Sequence, residues 1–366
     1  MTFQNINSDN NPPSTSHPSP WHAAVDGTRL ALEVVFPGYP ALRARLQAVK
    51  DSAGHKGETH SKGIEHAHFG PYLVRVWPSG TPIGKKGPYF AFVIEYGGII
   101  IMIQDRAAPK NECPNVIVHI GGQVCLERGD LGALELAYDL IREMGGEIDQ
   151  VKLSRIDFCV DMPGVGMDEF AAAANERRYV SRLKNHRGWE SDGHTVLFGK
   201  LPLQLEVYDK LAEVRASRNS RKLALMMARR WKGVMPAQAV RVEFRLWRDK
   251  LKAFGIDTPE DFYRKRRTLI DYLCTQWFRF TTDPVDRLNT TRAVTLPLWE
   301  QVHEAYAAWA GQPNGEVLAP LPKGPVDVTG LLKQGHGVLK AIGRAQDREV
   351  VGYDTYCDWV QGEALQ

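Results

Sequence analysis

Three short stretches of this chain carry the residues best suited to chemistry: "SRIDFCVD" (154–161), "LQLEVYDK" (203–210) and "VRVEFRLWR" (240–248). Each alternates apolar with polar side chains. Ile156, Phe158 and Val160 interleave with Arg155, Asp157, Cys159 and Asp161. Leu203, Leu205 and Val207 interleave with Gln204, Glu206, Tyr208 and Lys210, and Val240, Val242, Phe244 and Leu246 with Arg241, Glu243 and Arg245. A period of two predicts strands with one buried face and one charged face. Were they sheet neighbours, Asp157, Asp161, Glu206 and Glu243 would converge beside Tyr208, Lys210 and the arginines. Crowded carboxylates raise one another's pKa and cost free energy unless a cation intervenes. A hard divalent ion, Mg2+ or Mn2+, suits such an oxygen-only set and would stabilise the charge that builds in phosphoryl transfer. The competing reading is a solvated sheet face on which arginines pair with acids across strands.

The elements that must position these residues are partly legible. With 366 residues and 43% hydrophobic content, the chain can bury one large core or two ordinary ones. Its greasiest segment, "FAFVIEYGGIIIMIQ" (90–104), is interrupted by Glu95 and Gly97-Gly98, so it predicts a hairpin and not a membrane span. The first 25 residues, rich in Asn, Ser and Pro, read as a disordered tail without a secretory signal, which implies a cytoplasmic protein. "DSAGHKGETHSKGIEHAHFG" (51–70) reads as a polar loop. "PNVIVHIGGQVCLE" (114–127) reads as a strand with a glycine break and a turn at "GQVC". "DLGALELAYDLIREMGG" (130–146) has helical spacing and a glycine stop. A short helix follows Met167, and a basic helical insert separates the two later strands. From Thr258 onward the apolar spacing is helical, up to a Pro/Gly-rich bridge (311–325) and one or two short helices. The expected fold class is α+β, antiparallel sheets with helices packed on one face and a helical C-terminal part. The expected segments are a tail (1–25), a catalytic and DNA-binding domain (26–250), a helical extension (251–311), and a linker with short helices (312–366). Cys113, Cys125, Cys159, Cys274 and Cys357 are odd in number, scattered and never in a CxxC, which fits buried or incidental thiols better than a disulfide frame or a zinc site.

A net charge of +3 conceals an uneven distribution. Between Glu213 and Glu243 there is no acid, while Arg215, Arg218, Arg221, Lys222, Arg229, Arg230, Lys232 and Arg241 accumulate. A second cluster, "ERRYVSRLKNHRGW" (176–189), holds Arg177, Arg178, Arg182, Lys184 and Arg187 with Tyr179 and Trp189 interleaved. Such charges repel one another on a free surface, and a phosphate backbone relieves them.

Taken in order, "VIVHIGGQVC", a helix, "SRIDFCVD", "FGKLPLQLEVYDK" and "VRVEFRLWR" resemble the replication initiation factors of rolling-circle plasmids and filamentous phages, over roughly residues 85–250. Members of that family nick one DNA strand at an origin, hold its 5′ end through a tyrosine and later reseal it. The resemblance implies that Asp157, Asp161 and Glu243 hold the divalent ion, that Tyr208 attacks, and that Lys210 helps its oxygen ionise. Arg155, Arg241 and Arg245 would hold phosphate or pair with the acids. Glu206 departs from the pattern, because many relatives carry arginine there; it is a further candidate ligand. Tyr179 is a competing nucleophile whose simpler reading is an aromatic on a helix beside phosphate-binding arginines.

The partners this implies are single- and double-stranded origin DNA, with a host helicase and a second copy of the chain as further candidates, and no membrane. Two alternatives remain. One is a non-catalytic origin-binding or regulatory protein of the same fold. The other is a nicking enzyme of the His-x-His type using His66 and His68, although "EHAHFG" reads as loop and Ala67 is small where that motif has a bulky apolar residue.

Overall fold

The three alternating stretches form adjacent strands of one sheet. The structure, a computed structural model, describes residues 21–54, 65–84, 87–111, 113–183, 189–191, 194–284, 292–318 and 328–345. In chain order its strands are β1 (His22–Val35), β2 (Glu65–Phe69), β3 (Tyr72–Val76), β4 (Thr81–Pro82), β5 (Tyr89–Phe90), β6 (Phe92–Tyr96), β7 (Ile99–Ile103), β8 (Val116–Ile120), β9 (Glu147–Pro163), β10 (Tyr179–Ser181), β11 (Trp189–Ser191), β12 (Thr195–Lys200), β13 (Leu203–Asp209), β14 (Ala239–Trp247) and β15 (Phe278–Phe280). Eleven of them make an antiparallel sheet in the order β11-β12-β13-β14-β9-β1-β8-β7-β6-β3-β2; β4 pairs with β5 and β10 with β15 in two small ribbons. The helices are α1 (Tyr39–Gly54), α2 (Gly122–Glu143), α3 (Asp168–Asn175), α4 (Lys210–Ala216), α5 (Ser220–Arg229), α6 (Arg248–Ala253), α7 (Pro259–Tyr272), α8 (Pro297–Ala310) and α9 (Val328–Ala345). The fold is α+β.

Alternation decides which side of the sheet is the core. Phe158, Val160, Leu205, Val207, Val242 and Phe244 are buried on one face together with Leu30, Leu32 and Val34 of β1. Helices cover that face. Phe158 packs against Phe244, Phe262 of α7 and Tyr306 of α8, and the Tyr306 hydroxyl donates to the Val242 carbonyl at 2.7 Å. This contact ties α8 to the sheet directly behind the polar residues of β9 and β14. The hairpin expected at Gly97-Gly98 joins β6 to β7, with both glycines at positive φ (55° and 92°), the conformation that tight hairpin turns demand.

Several expectations change. Residues 22–25, read as tail, open β1, which lies at the centre of the sheet between β9 and β8; residues 1–20 lie outside the described residues. "GQVC" is the first turn of α2, and Cys125 is buried there. The stretch read as one polar loop contains the end of α1 and all of β2. The long strand expected to end at Lys210 is two, β12 and β13, and the basic insert is two helices, α4 and α5.

By internal contacts the chain divides into two units, Met1–Ala319 and Pro320–Gln366. The first contains the sheet; the second is described only for α9. No described helix is long and apolar enough to cross a membrane.

Candidate active site

Tyr208 stands at the end of β13, one residue before Asp209 turns the chain. The Asp209 carboxylate caps α4 by accepting from the Ala212 amide at 2.8 Å, so Lys210 becomes the first residue of that helix and folds back toward the tyrosine. The Tyr208 hydroxyl donates to Glu243 Oε2 at 3.0 Å and accepts from Lys210 Nζ at 3.4 Å. These three residues line a cavity of about 780 Å3 between the polar sheet face, α4, α5 and the start of α2. Burial pushes the tyrosine well above its ordinary pKa; Arg241 opposes that rise and the Glu243 carboxylate adds to it. Lys210 is itself buried, at 5% exposure, and its ammonium also meets Glu213 Oε2 at 2.9 Å.

The four acids do converge on one face, but each meets an arginine. Glu206 and Glu243 are directly opposite across β13 and β14, a like-charge pair that would be unfavourable alone. Arg245 bridges them, with Nε 2.7 Å from Glu243 Oε1 and Nη2 paired with Glu206. Burial raises the Glu206 carboxyl above its ordinary value despite Arg245. Asp157 receives both ends of the Arg155 fork at 2.8 and 2.7 Å, yet burial lifts it to about 6. Asp161 is almost sealed. Arg241 donates to both its oxygens at 2.7 and 2.8 Å, and Arg230 lies 3.6 Å away.

A second carboxylate completes that sealed cluster. Asp26 accepts from Arg241 Nη1 at 2.6 Å. It sits at a register shift in β1 between Val25 and Gly27, a bulge that turns an extra residue toward β14. Gly122, at the start of α2, packs so close that a Cβ there would lie 2.7 Å from the Asp26 carbonyl oxygen. The apolar phase in "HAAVDGTRLALEVV" switches from Ala23 and Val25 to Leu30, Leu32 and Val34, which signals both the strand and its bulge, and neither was read from the sequence.

The donor set does not fit a divalent ion in this arrangement. Among the described residues no group of three or more His, Cys, Asp or Glu side chains is placed to share a metal. The reason is electrostatic: Arg245, Arg155 and Arg241 already supply the cations that the crowded acids require. The expected metal ligands Asp157, Asp161, Glu206 and Glu243 are thus gathered by the fold but committed to arginines.

Of the basic residues expected to meet phosphate, Arg215, Arg218, Arg229 and Lys232 are exposed around α4 and α5, with no carboxylate partner among the described residues. Arg221 is exposed but pairs with Glu127 at 3.0 Å, and Lys222 pairs with Glu213. Arg230 is corrected: at 4% exposure it is turned inward beside Asp161 and offers nothing to solvent, whereas Arg241, at 1% exposure, pairs with the acids, the second of the two roles expected for it. In the second cluster Arg177 is exposed, Arg178 is turned inward to Glu176 and the Thr282 carbonyl, and Arg182 lies over the Tyr272 ring. Lys184 and Arg187 lie outside the described residues.

Tyr179 is on a strand, not a helix. It stacks on Phe278 at 5.6 Å and meets Phe198 edge-on at 5.0 Å, an aromatic packing role away from the acids. His66 and His68 also lie on a strand, β2, and face the same side as Tyr208, with Ala67 buried between them. However, β2 is the far edge of the sheet and β13 is third from the opposite edge. Cys125 is inert, since burial pushes its thiol up to about 12. Cys357 lies outside the described residues.

No family model matches the chain, and no curated protein matches it. Solved structures are similar to it, and one of them aligns with most of the chain. That structure is the rolling circle replication initiator protein from Geobacillus stearothermophilus, at a TM-score of 0.44 and 15% identity over 79% of this chain and 97% of that one. A likeness at that level bears on neither the site nor its chemistry.

Proposed function

We propose that the protein is a DNA replication initiator that nicks one strand and rejoins it through a phosphodiester to Tyr208. The observation that carries this reading is the tyrosine hydroxyl held between Glu243 and Lys210 in a cavity whose outer helices present exposed, unpaired arginines. Glu243 is placed to take the phenolic proton, and Lys210 and Arg241 to stabilise the phenolate that remains. That oxygen attacks a backbone phosphorus. The bond to the 3′ oxygen breaks, the proton held by Glu243 passes to the departing 3′ oxygen, and the 5′ phosphate stays on Tyr208. Reversal by a 3′ hydroxyl restores the strand, and because the ester keeps the energy of the broken bond no nucleotide is consumed.

A non-catalytic DNA-binding protein of the same fold is the second reading, favoured by the arginines that occupy all four acids. One assay separates the two. Supercoiled DNA carrying the region that flanks the gene is incubated with the protein, in Mn2+ or in EDTA, and resolved under denaturing conditions. Open circles with protein on their 5′ ends are expected, and Tyr208→Phe should abolish the adduct while leaving retardation of the DNA intact. Retardation without any adduct supports the second reading. Adduct in EDTA assigns the counter-charge to the arginines; adduct only with Mn2+ means that Arg245 yields its carboxylates once DNA is present.

A further inference from the structure

Away from Tyr208, the polar face carries a row of two arginines and a neutral histidine for which the sheet supplies too few acceptors. On three adjacent strands His119 (β8), Arg29 (β1) and Arg155 (β9) stand opposite one another: Arg29 pairs in register with His119 on one side and Arg155 on the other. Trp247 of β14 continues the row beside Arg155, whose guanidinium lies 4.7 Å from its ring centroid. Like charges directly opposite on neighbouring strands are destabilising. Asp157 is the acid hydrogen-bonded within this row, and both its oxygens are taken by Arg155; Glu206 acts on Arg155 from farther away. Arg29 keeps a buried Nε without a hydrogen-bond partner, and its charge is disfavoured by burial and by Arg155 with only partial relief from Asp157. His119 is held below its ordinary pKa by burial and then by the two arginines. Buried donors without acceptors are rare in stable sheets, and an anion would satisfy them here.

We infer that Arg29, Arg155 and His119 form a second phosphate-binding position, which takes the backbone of the same DNA strand that Tyr208 attacks, several nucleotides from the scissile phosphate. The inference rests on the proposed function. Three strand spacings and six residues of strand rise separate the row from Tyr208, on the order of 25 Å along the open face. A phosphate there would accept from Arg29 and Arg155, and Trp247 offers an adjacent ring to a base. The row thereby sets the direction in which the strand crosses the sheet.

The test uses full-length protein in EDTA with fluorescent oligothymidylates, one long and one of four nucleotides. Arg29→Gln is expected to bind the long strand about tenfold more weakly and to lower the slope of log affinity against log salt by about 0.7, with the short one changed less than twofold. Arg29→Lys should recover most of the loss, because it restores the charge. Should Arg29→Gln fold poorly, as judged by its urea midpoint, His119→Gln repeats the test with about threefold expected on the long strand alone. Equal loss on both lengths, or none on either, overturns the second position and leaves the proposed function standing. Wild-type protein that binds neither oligonucleotide and forms no adduct overturns both.

Discussion

Asp157 and Asp161 lie four residues apart on one face of one strand, and the fold gives them opposite chemistry. Asp161 is enclosed by Arg241, Arg230 and the neighbouring Asp26. Burial alone would raise its pKa, but the arginines hold it below the ordinary value. Asp157 hydrogen-bonds to a single arginine, which reaches solvent, with Arg245 acting without a hydrogen bond, and burial wins, lifting it to about 6. The same residue type on the same face is therefore a permanently charged piece of the interior in one place and a titratable group at the edge of an open site in the other. Depth and the number of facing guanidinium groups decide which.

The sharpest way to break that contrast is to remove each carboxylate in turn. Asp161→Ala takes from Arg241, 1% exposed, the carboxylate that accepts two of its hydrogen bonds and leaves it Asp26 alone, and should cost about 3 kcal/mol in urea unfolding. Asp157→Ala should cost about 1 kcal/mol, since Arg155 can turn to water. Equal losses would erase the distinction. Acidity tests it next. A folded pKa held below the unfolded one stabilises above the unfolded value, so the Asp161 contribution is lost as pH falls below about 4. A raised folded pKa has the opposite sign: the Asp157 contribution is present below about 4 and is lost as pH rises to about 6, by at most about 3 kcal/mol. Asp157→Asn should therefore flatten the stability profile between those values and leave acid unfolding in place; an unchanged profile contradicts the raised carboxyl. The smallest effect separates free from engaged cations outside the cluster. Arg218→Ala or Arg229→Ala should weaken DNA binding about threefold, whereas Arg221→Ala, already paired with Glu127, should change it less than twofold. Titration by fluorescence anisotropy at two salt concentrations resolves the two groups.

Much of the site was legible because alternation is local. Glu206, Tyr208, Arg241, Glu243 and Arg245 could be assigned to one face from their spacing, and the cap at Asp209 that brings Lys210 back to the tyrosine is written in the same few residues. Less legible was β1, whose alternation changes phase at Asp26 and Gly27. A bulge moves every later side chain to the other parity, and the strand's place at the centre of the sheet has no local signature. With β1 unread, Asp26, Arg29 and His119 could not be connected to the acids. The arginines show the same limit from another side. Arg218 and Arg230 belong to one basic run, yet one reaches solvent and the other is sealed against Asp161, and only the packing of α5 on the sheet separates them.

The chain's own order of residues determined the α+β elements and which side chains share a face, since the two-residue period of a strand follows from backbone geometry. Only the tertiary structure decided that the gathered acids would be met by arginines, because that depends on which strands become neighbours and in what register. A slip of one residue between β14 and β9 would have turned Arg241 to the other face of the sheet, away from Asp161, and left that carboxylate with Arg230 alone.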